Sequence, residues 1–269
     1  MTRIFGLILA VSLPLVAYPQ PQKDRAIVSE DFTKARPKPK RRTGPRKQRK
    51  YRLSSTPLAT PLDKDNPSTL KVGVTLWKVQ RGYKGEVAKR VAADTKFHEG
   101  DLLRLSIESP RDGYLYVVDR DWFTDGASGD TKLIFPLQGE DNRLHAGKLI
   151  DIPSPEQSPF EATPKRNQAG EMLTIIVTTS PLSLPLTNDA LPVSSTQLTE
   201  WERMWSGMTE RFEMNEGVGL ARTPVEEQAA ALTGGRQLTR ADPAPQTIYL
   251  LTPRSGDGLL FNLLLSYVR

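Results

Sequence analysis

Two imidazoles, His98 and His145, are the side chains of this chain best suited to moving protons near neutral pH. A serine, a histidine and an acid can be gathered from anywhere in a fold, so a hydrolase using Ser128 with His98 or His145 is one reading. The setting of the serine argues against it. Gly126-Ala127-Ser128-Gly129 lacks the last spacer of a nucleophile elbow, and it lies in a polar loop instead of a strand-to-helix turn. Ordinary surface histidines are the plainer alternative, and the expectation is a protein that is not an enzyme.

Asp119, Asp121, Asp125 and Asp130 crowd the same loop, and hard cations take several oxygens from flexible loops. Phe123 stands where the third ligand of an EF-hand would be, so a solvated acidic turn fits better and no metal is expected. The adjacent acids Glu226-Glu227 and Glu140-Asp141 are explained by a helix start and a turn. Without a phosphate-binding glycine loop or a zinc-ligand cluster in the sequence, no cofactor is expected either. Trp122 and Phe123 are the ligand-binding candidates, because aromatics in a polar loop at the end of a β-sandwich stand where such folds place contacts. The competing reading folds them back over the core, since large aromatics gain most from burial.

The elements that must hold these residues are strands. Leu70, Val72, Val74 and Leu76 alternate with Lys71, Gly73 and Thr75, and Leu103, Leu105 and Ile107 alternate with Arg104, Ser106 and Glu108. After the turn Pro110-Arg111-Asp112-Gly113, the run Tyr114 to Val118 is apolar on both sides and is expected at the centre of its sheet. Residues 119–130 read as a loop. Further strands are expected at 132–135, 148–152, 172–178, 247–251 and 259–268. The last is too apolar to lie safely on an open edge. This pattern predicts a mainly β chain, an antiparallel β-sandwich, Ig-like or related, over residues 70–268.

Residues 182–246 interrupt it as a helical insertion. Thr199-Glu200-Trp201-Glu202 has the form of a capping box, and Trp201, Trp205, Met208 and Phe212 mark one apolar face of a helix over 200–212. Thr223-Pro224-Val225-Glu226 opens a second helix, which Gly234-Gly235 would end.

Ahead of the sandwich, Arg3 and the apolar run Ile4 to Ala17 have the layout of a signal peptide. Residues 1–17 are therefore expected to be a leader, with a periplasmic or extracellular product carrying no transmembrane anchor after its removal. Absent cysteine leaves the redox compartment undetermined and excludes a lipoprotein anchor. Residues 18–69 are proline-rich and poor in large apolar groups, so they read as a disordered linker. Within it, Lys34 to Arg52 carries eleven basic residues and no acid. Discounting those and Arg3 lowers the formal charge from +6 by twelve, to −6, so the basicity belongs to this run. One reading is a solvated spacer. The other is contact with an anionic envelope polymer through Arg41, Arg42, Arg46, Lys47, Arg49 and Lys50, or with another envelope protein. Nucleic acid ranks last, because Tyr51 alone is at hand for base stacking and export removes the protein from nucleic acid.

Phe97-x-x-Gly100-Asp101, Gly113-Tyr114-Leu115-Tyr116, Leu133-Ile134-Phe135-Pro136, Asn142-Arg143, Gly147, Pro153 and the strand from Glu171 to Thr179 resemble the bacterial domain-of-unknown-function family numbered 4384, over about residues 72–181. The resemblance implies an extracytoplasmic or sensor-associated all-β module without an assigned activity, often fused to kinase or caspase-like peptidase domains. The combined expectation is an exported, non-enzymatic binding or interaction module of the cell envelope.

Overall fold

The computed structural model describes residues 22–39, 69–83, 85–231, 236–252 and 257–268. The expected leader and the six expected polymer contacts, Arg41, Arg42, Arg46, Lys47, Arg49 and Lys50, lie outside them. In chain order the first strands are β1 (Leu70–Gly82), β2 (Gly85–Val91), β3 (Lys96–Phe97), β4 (Leu102–Glu108), β5 (Gly113–Phe123), β6 (Ser128–Phe135) and β7 (Arg143–Leu144). Then come β8 (Ile150–Ile152), β9 (Phe160–Glu161), β10 (Gln168–Thr178), β11 (Leu191–Pro192), β12 (Met208–Glu213), β13 (Thr247–Thr252) and β14 (Gly258–Tyr267). Among the described residues there are three α-helices: α1 (Gln22–Lys34), α2 (Ser195–Trp205) and α3 (Pro224–Ala230).

Two seven-stranded sheets face each other. The front sheet runs β12-β13-β1-β4-β8, with β2 along β1 and β9 along β4; the back sheet runs β11-β6-β5-β10-β14-β3, with β7 along β5. Named strands pair antiparallel except β14 with β3. The alternation seen in sequence is the alternation of faces. Val72, Val74 and Leu76 of β1 and Leu103, Leu105 and Ile107 of β4 meet Leu115, Val117, Leu173, Ile175, Phe261 and Leu263 of the back sheet in one apolar core. β5 lies between β6 and β10, as its two apolar faces require.

The outer faces are covered as well. Leu198, Trp201 and Trp205 of α2 pack on Tyr116, Val118, Leu133, Ile176 and Leu260 of the back sheet. The cap of α2 is Ser194, whose hydroxyl accepts from Gln197 N at 3.1 Å. The helix expected over 200–212 is therefore corrected: it starts earlier and stops at Trp205, and Met208 to Glu213 is strand β12, paired with β13. Phe212 belongs to a different cluster, with Phe32 and Ile248, so the four-three-four spacing joined two elements facing opposite sheets. The second helix begins at Thr223 with a full capping box and ends at Ala230, ahead of Gly234-Gly235, which lie outside the described residues.

Residues 22–39 also depart from expectation. Instead of belonging to a disordered linker, Gln22–Lys34 is a helix, with Val28 and Phe32 one turn apart packed on Phe212, Met214, Ile248 and Leu250. Just beyond it Arg36 is 2% exposed and meets Glu108 through Nε and Nη2, both at 2.6 Å. The basic run thus begins inside the folded body. The expected loop over 119–130 is corrected too: β5 continues to Phe123 and β6 starts at Ser128, joined by a turn in which Asp125 accepts from Ala127 N.

Candidate functional site: the mouth of the sandwich

Within β5, Leu115, Val117, Asp119 and Asp121 share the face turned to the other sheet; on β10, Glu171 precedes Leu173, Ile175 and Val177 on the same face. Two strands that are apolar at one end therefore bring carboxylates inward at the other. β14 runs alongside and adds Leu265 and Tyr267. The front sheet closes the space with Leu76, Leu103, Leu105, Ile152 and the rim residues Phe160, Glu161 and Ala162. A cavity of about 120 Å³ remains between the sheets.

Its walls are mainly aliphatic, and its polar groups differ in how well they are satisfied. Tyr267 donates its hydroxyl to Glu171 Oε1 at 2.6 Å. Arg104 turns its guanidinium away, donating to the carbonyls of Pro153, Ser154 and Gln157. Asp121 is held by Lys165 at 2.5 Å and by Gln168 at 3.1 Å. Asp119 Oδ1, by contrast, is sealed from solvent and has no hydrogen-bond partner among the described residues. Burial, followed by the charge of Glu171, pushes the Asp119 carboxyl up to about 7. Burial likewise raises Glu171, and burial together with the bond to Glu171 raises Tyr267.

The residues singled out for chemistry are scattered. His98 follows β3 and contacts Asp101 at 3.8 Å, while His145 Nδ1 lies 3.1 Å from Asp112; both imidazoles are exposed. His145 adjoins β7, which pairs with the start of β5, at the end of the sandwich away from the cavity. Ser128 opens β6, opposite Trp122 of β5, and β6 lies four strand positions from β3 across the back sheet, a separation of roughly 19 Å at the usual strand spacing. A triad from these groups has no geometry. The four aspartates also part company: Asp119 enters the cavity, Asp121 pairs with Lys165, Asp125 shapes the turn and Asp130 is exposed. Among the described residues no group of acids and histidines could hold a metal ion.

Trp122 and Phe123 end a strand and by its alternation point to opposite faces. Neither lines the cavity; Trp122 borders a shallow groove with Leu264, Val268 and Lys96. The cavity residues Glu171 and Tyr267 escaped the sequence reading, and Asp119 was assigned to a turn. Their signal was there: an acid in phase with the inward apolar residues of a strand, two positions beyond Val117 and two before Leu173.

A second polar assembly lies between the front sheet and the elements that cover it. Trp77 donates to Ser106 Oγ at 2.7 Å, Ser106 donates to Asp151 at 2.6 Å, and Arg222 forks onto Asp151. The guanidinium groups of Arg90 and Arg222 each lie 5.3 Å from the Trp77 ring, and Arg90 pairs with Glu226. The void beside this network, about 10 Å³, is too small for a ligand, so its work is structural.

Residues 96–181 match the model of a family described as Domain of unknown function (DUF4384). That match supports the likeness to this family over about a third of the chain. The match runs from β3 to just past β10, so the matched segment supplies Asp119 and Glu171, whereas Tyr267, Leu265 and Leu76 come from strands outside it. No curated protein and no solved structure shows a match to the chain. No helix among the described residues is long and apolar enough to cross a membrane.

Proposed function

We propose that the protein is an exported, non-enzymatic binding module of the cell envelope, whose ligand enters the mouth of the sandwich. The observation that carries the reading is the cavity itself: aliphatic walls from both sheets with polar groups converging at one side are what a small ligand needs for shape and orientation. The leader-like apolar run at residues 4–17 supports the address. Filling the space tests the binding. Ala162 is buried in the cavity wall, and Ala162→Leu narrows it. A small-molecule fraction of an envelope extract should raise the melting temperature of the wild-type chain and leave that of the variant unmoved; equal effects on both, or none on either, refute a ligand in this cavity.

The basic run is the second contact in this proposal, with an anionic envelope polymer as partner. Arg36 is spent on Glu108 inside the body, so the relevant deletion is 40–52, which keeps that pair. The deletion should reduce salt-sensitive retention on an immobilised anionic polymer, with polyphosphate as the probe, without changing the melting temperature. Undiminished retention would leave the run a mere spacer.

A further inference from the structure

Resting on the binding reading above, we infer that the mouth cavity selects a small organic cation, an ammonium on a short alkyl body, with its nitrogen at the Asp119 carboxylate. Three observations point to that chemistry. Asp119 Oδ1 is buried at the cavity without a partner among the described residues, and buried polar atoms in folded proteins are ordinarily paired. An ionised carboxylate can only accept, so the group that completes it must donate; a cationic donor makes the strongest such bond. The remaining wall, from Leu76, Leu103, Leu105, Ile152 and Leu173, accepts hydrocarbon. At about 120 Å³ the space lies well below the roughly 300–1,000 Å³ of pockets for larger ligands, so the body must be short.

The charges around Asp119 agree on the sign of the ligand. Glu171 and Asp121 stand on the same face of the back sheet, and Glu161 comes from the rim of the front sheet. Against them, Lys165 is bound to Asp121 and Arg104 to three carbonyls, Lys132 acts on Asp119 from β6, and the Tyr267 hydroxyl is taken by Glu171. With Asp119, Asp121, Glu161 and Glu171 set against Lys132 and Lys165, acids outnumber cations around the cavity, inside an apolar shell where screening by solvent is weak. The Asp119 carboxyl is held at about 7, so the preference for a cation grows as pH rises through neutrality.

The test uses methyl-labelled full-length chain and three probes of one shape, n-butylammonium, n-butanol and butyrate, followed by the NMR shifts of Leu105, Ile134, Ile152 and Leu173. At pH 8 butylammonium should bind at least tenfold more tightly than butanol, with butyrate weakest. The ratio should fall below threefold at pH 5.5 and in Asp119→Asn, and fall partway in Glu171→Gln, which serves if the first variant does not fold. Butanol binding as tightly as butylammonium at pH 8 overturns the cation assignment and leaves a binding cavity. Shifts from none of the three overturn the assignment and the cavity's role together.

Discussion

Asp119 is where a single side chain carries most consequence, because its ionisation opposes folding. Its carboxyl is held at about 7 in the folded chain, against 3.8 ordinarily, so between those pH values the folded state keeps a proton that the unfolded state has lost. Stability from this group is greatest below pH 3.8, declines as pH rises from there to about 7, and is level above that. Glu171 and Glu213, also raised by burial, push in the same direction. Replacing the acid by an amide removes the decline. Asp119→Asn is expected to match the wild type at pH 4.5 and to exceed it by on the order of 1–3 kcal/mol at pH 8, measured by denaturant titration at both. A variant less stable than wild type at pH 8 would mean that the carboxylate has a compensating partner. The same buried carboxylate is what a bound ammonium would neutralise, so in the proposed reading stability and recognition depend on one side chain.

Among the elements, α1 shows how a segment without a core of its own becomes ordered. Its apolar contribution is small, chiefly Val28 and Phe32, and isolated helices of this length are marginal in water. What fixes it is long-range: Phe32 is buried under β12 and β13, and Arg36 is inserted beside Glu108 while donating to the carbonyls of Thr239, Asp242 and Pro243. Burial pushes the Glu108 carboxyl up, and Arg36 is the counter-charge that opposes this. Losing one partner of such a pair costs more than the pair contributes, because the other is stranded. Arg36→Met is therefore expected to destabilise by about 3–5 kcal/mol, and Arg36→Met with Glu108→Leu to recover much of it, read from urea midpoints. Additive losses would place the contribution of α1 in Phe32 alone.

At the scale of the molecule, the matched domain and the folded body are different things. The matched segment contributes β4, β8 and β9 to the front sheet and β3, β5, β6, β7 and β10 to the back sheet, but β1, β2, β12 and β13 complete the first and β11 and β14 the second. Excised, residues 96–181 would expose Leu103, Leu105 and Ile107 where β1 packs and pairs, and Ile175 where Phe261 of β14 lies opposite. The segment alone is expected to give collapsed amide dispersion in an NMR spectrum, and residues 22–268 a folded one. A well-dispersed spectrum from 96–181 would show that the family segment folds by itself and the rest is appended.

What the residues alone determined was periodic. Alternating Leu, Ile and Val marked the long strands of the core, such as β1, β4 and β10, and the face they bury, and two apolar faces put β5 inside its sheet, because burial in a pleated strand depends on position along the chain. The Thr223 cap was readable for the same local reason. The tertiary structure alone decided whatever needed partners far away in sequence. Arg36 reads as part of a solvated basic run until Glu108, 72 residues on, supplies its charge. Phe212 fits a helix until Phe32 and Ile248 claim it for a strand face. Asp119 reads as a turn acid until β10 and β14 bring Glu171 and Tyr267 beside it, since a cavity is formed by surfaces that meet only once the sheets have closed.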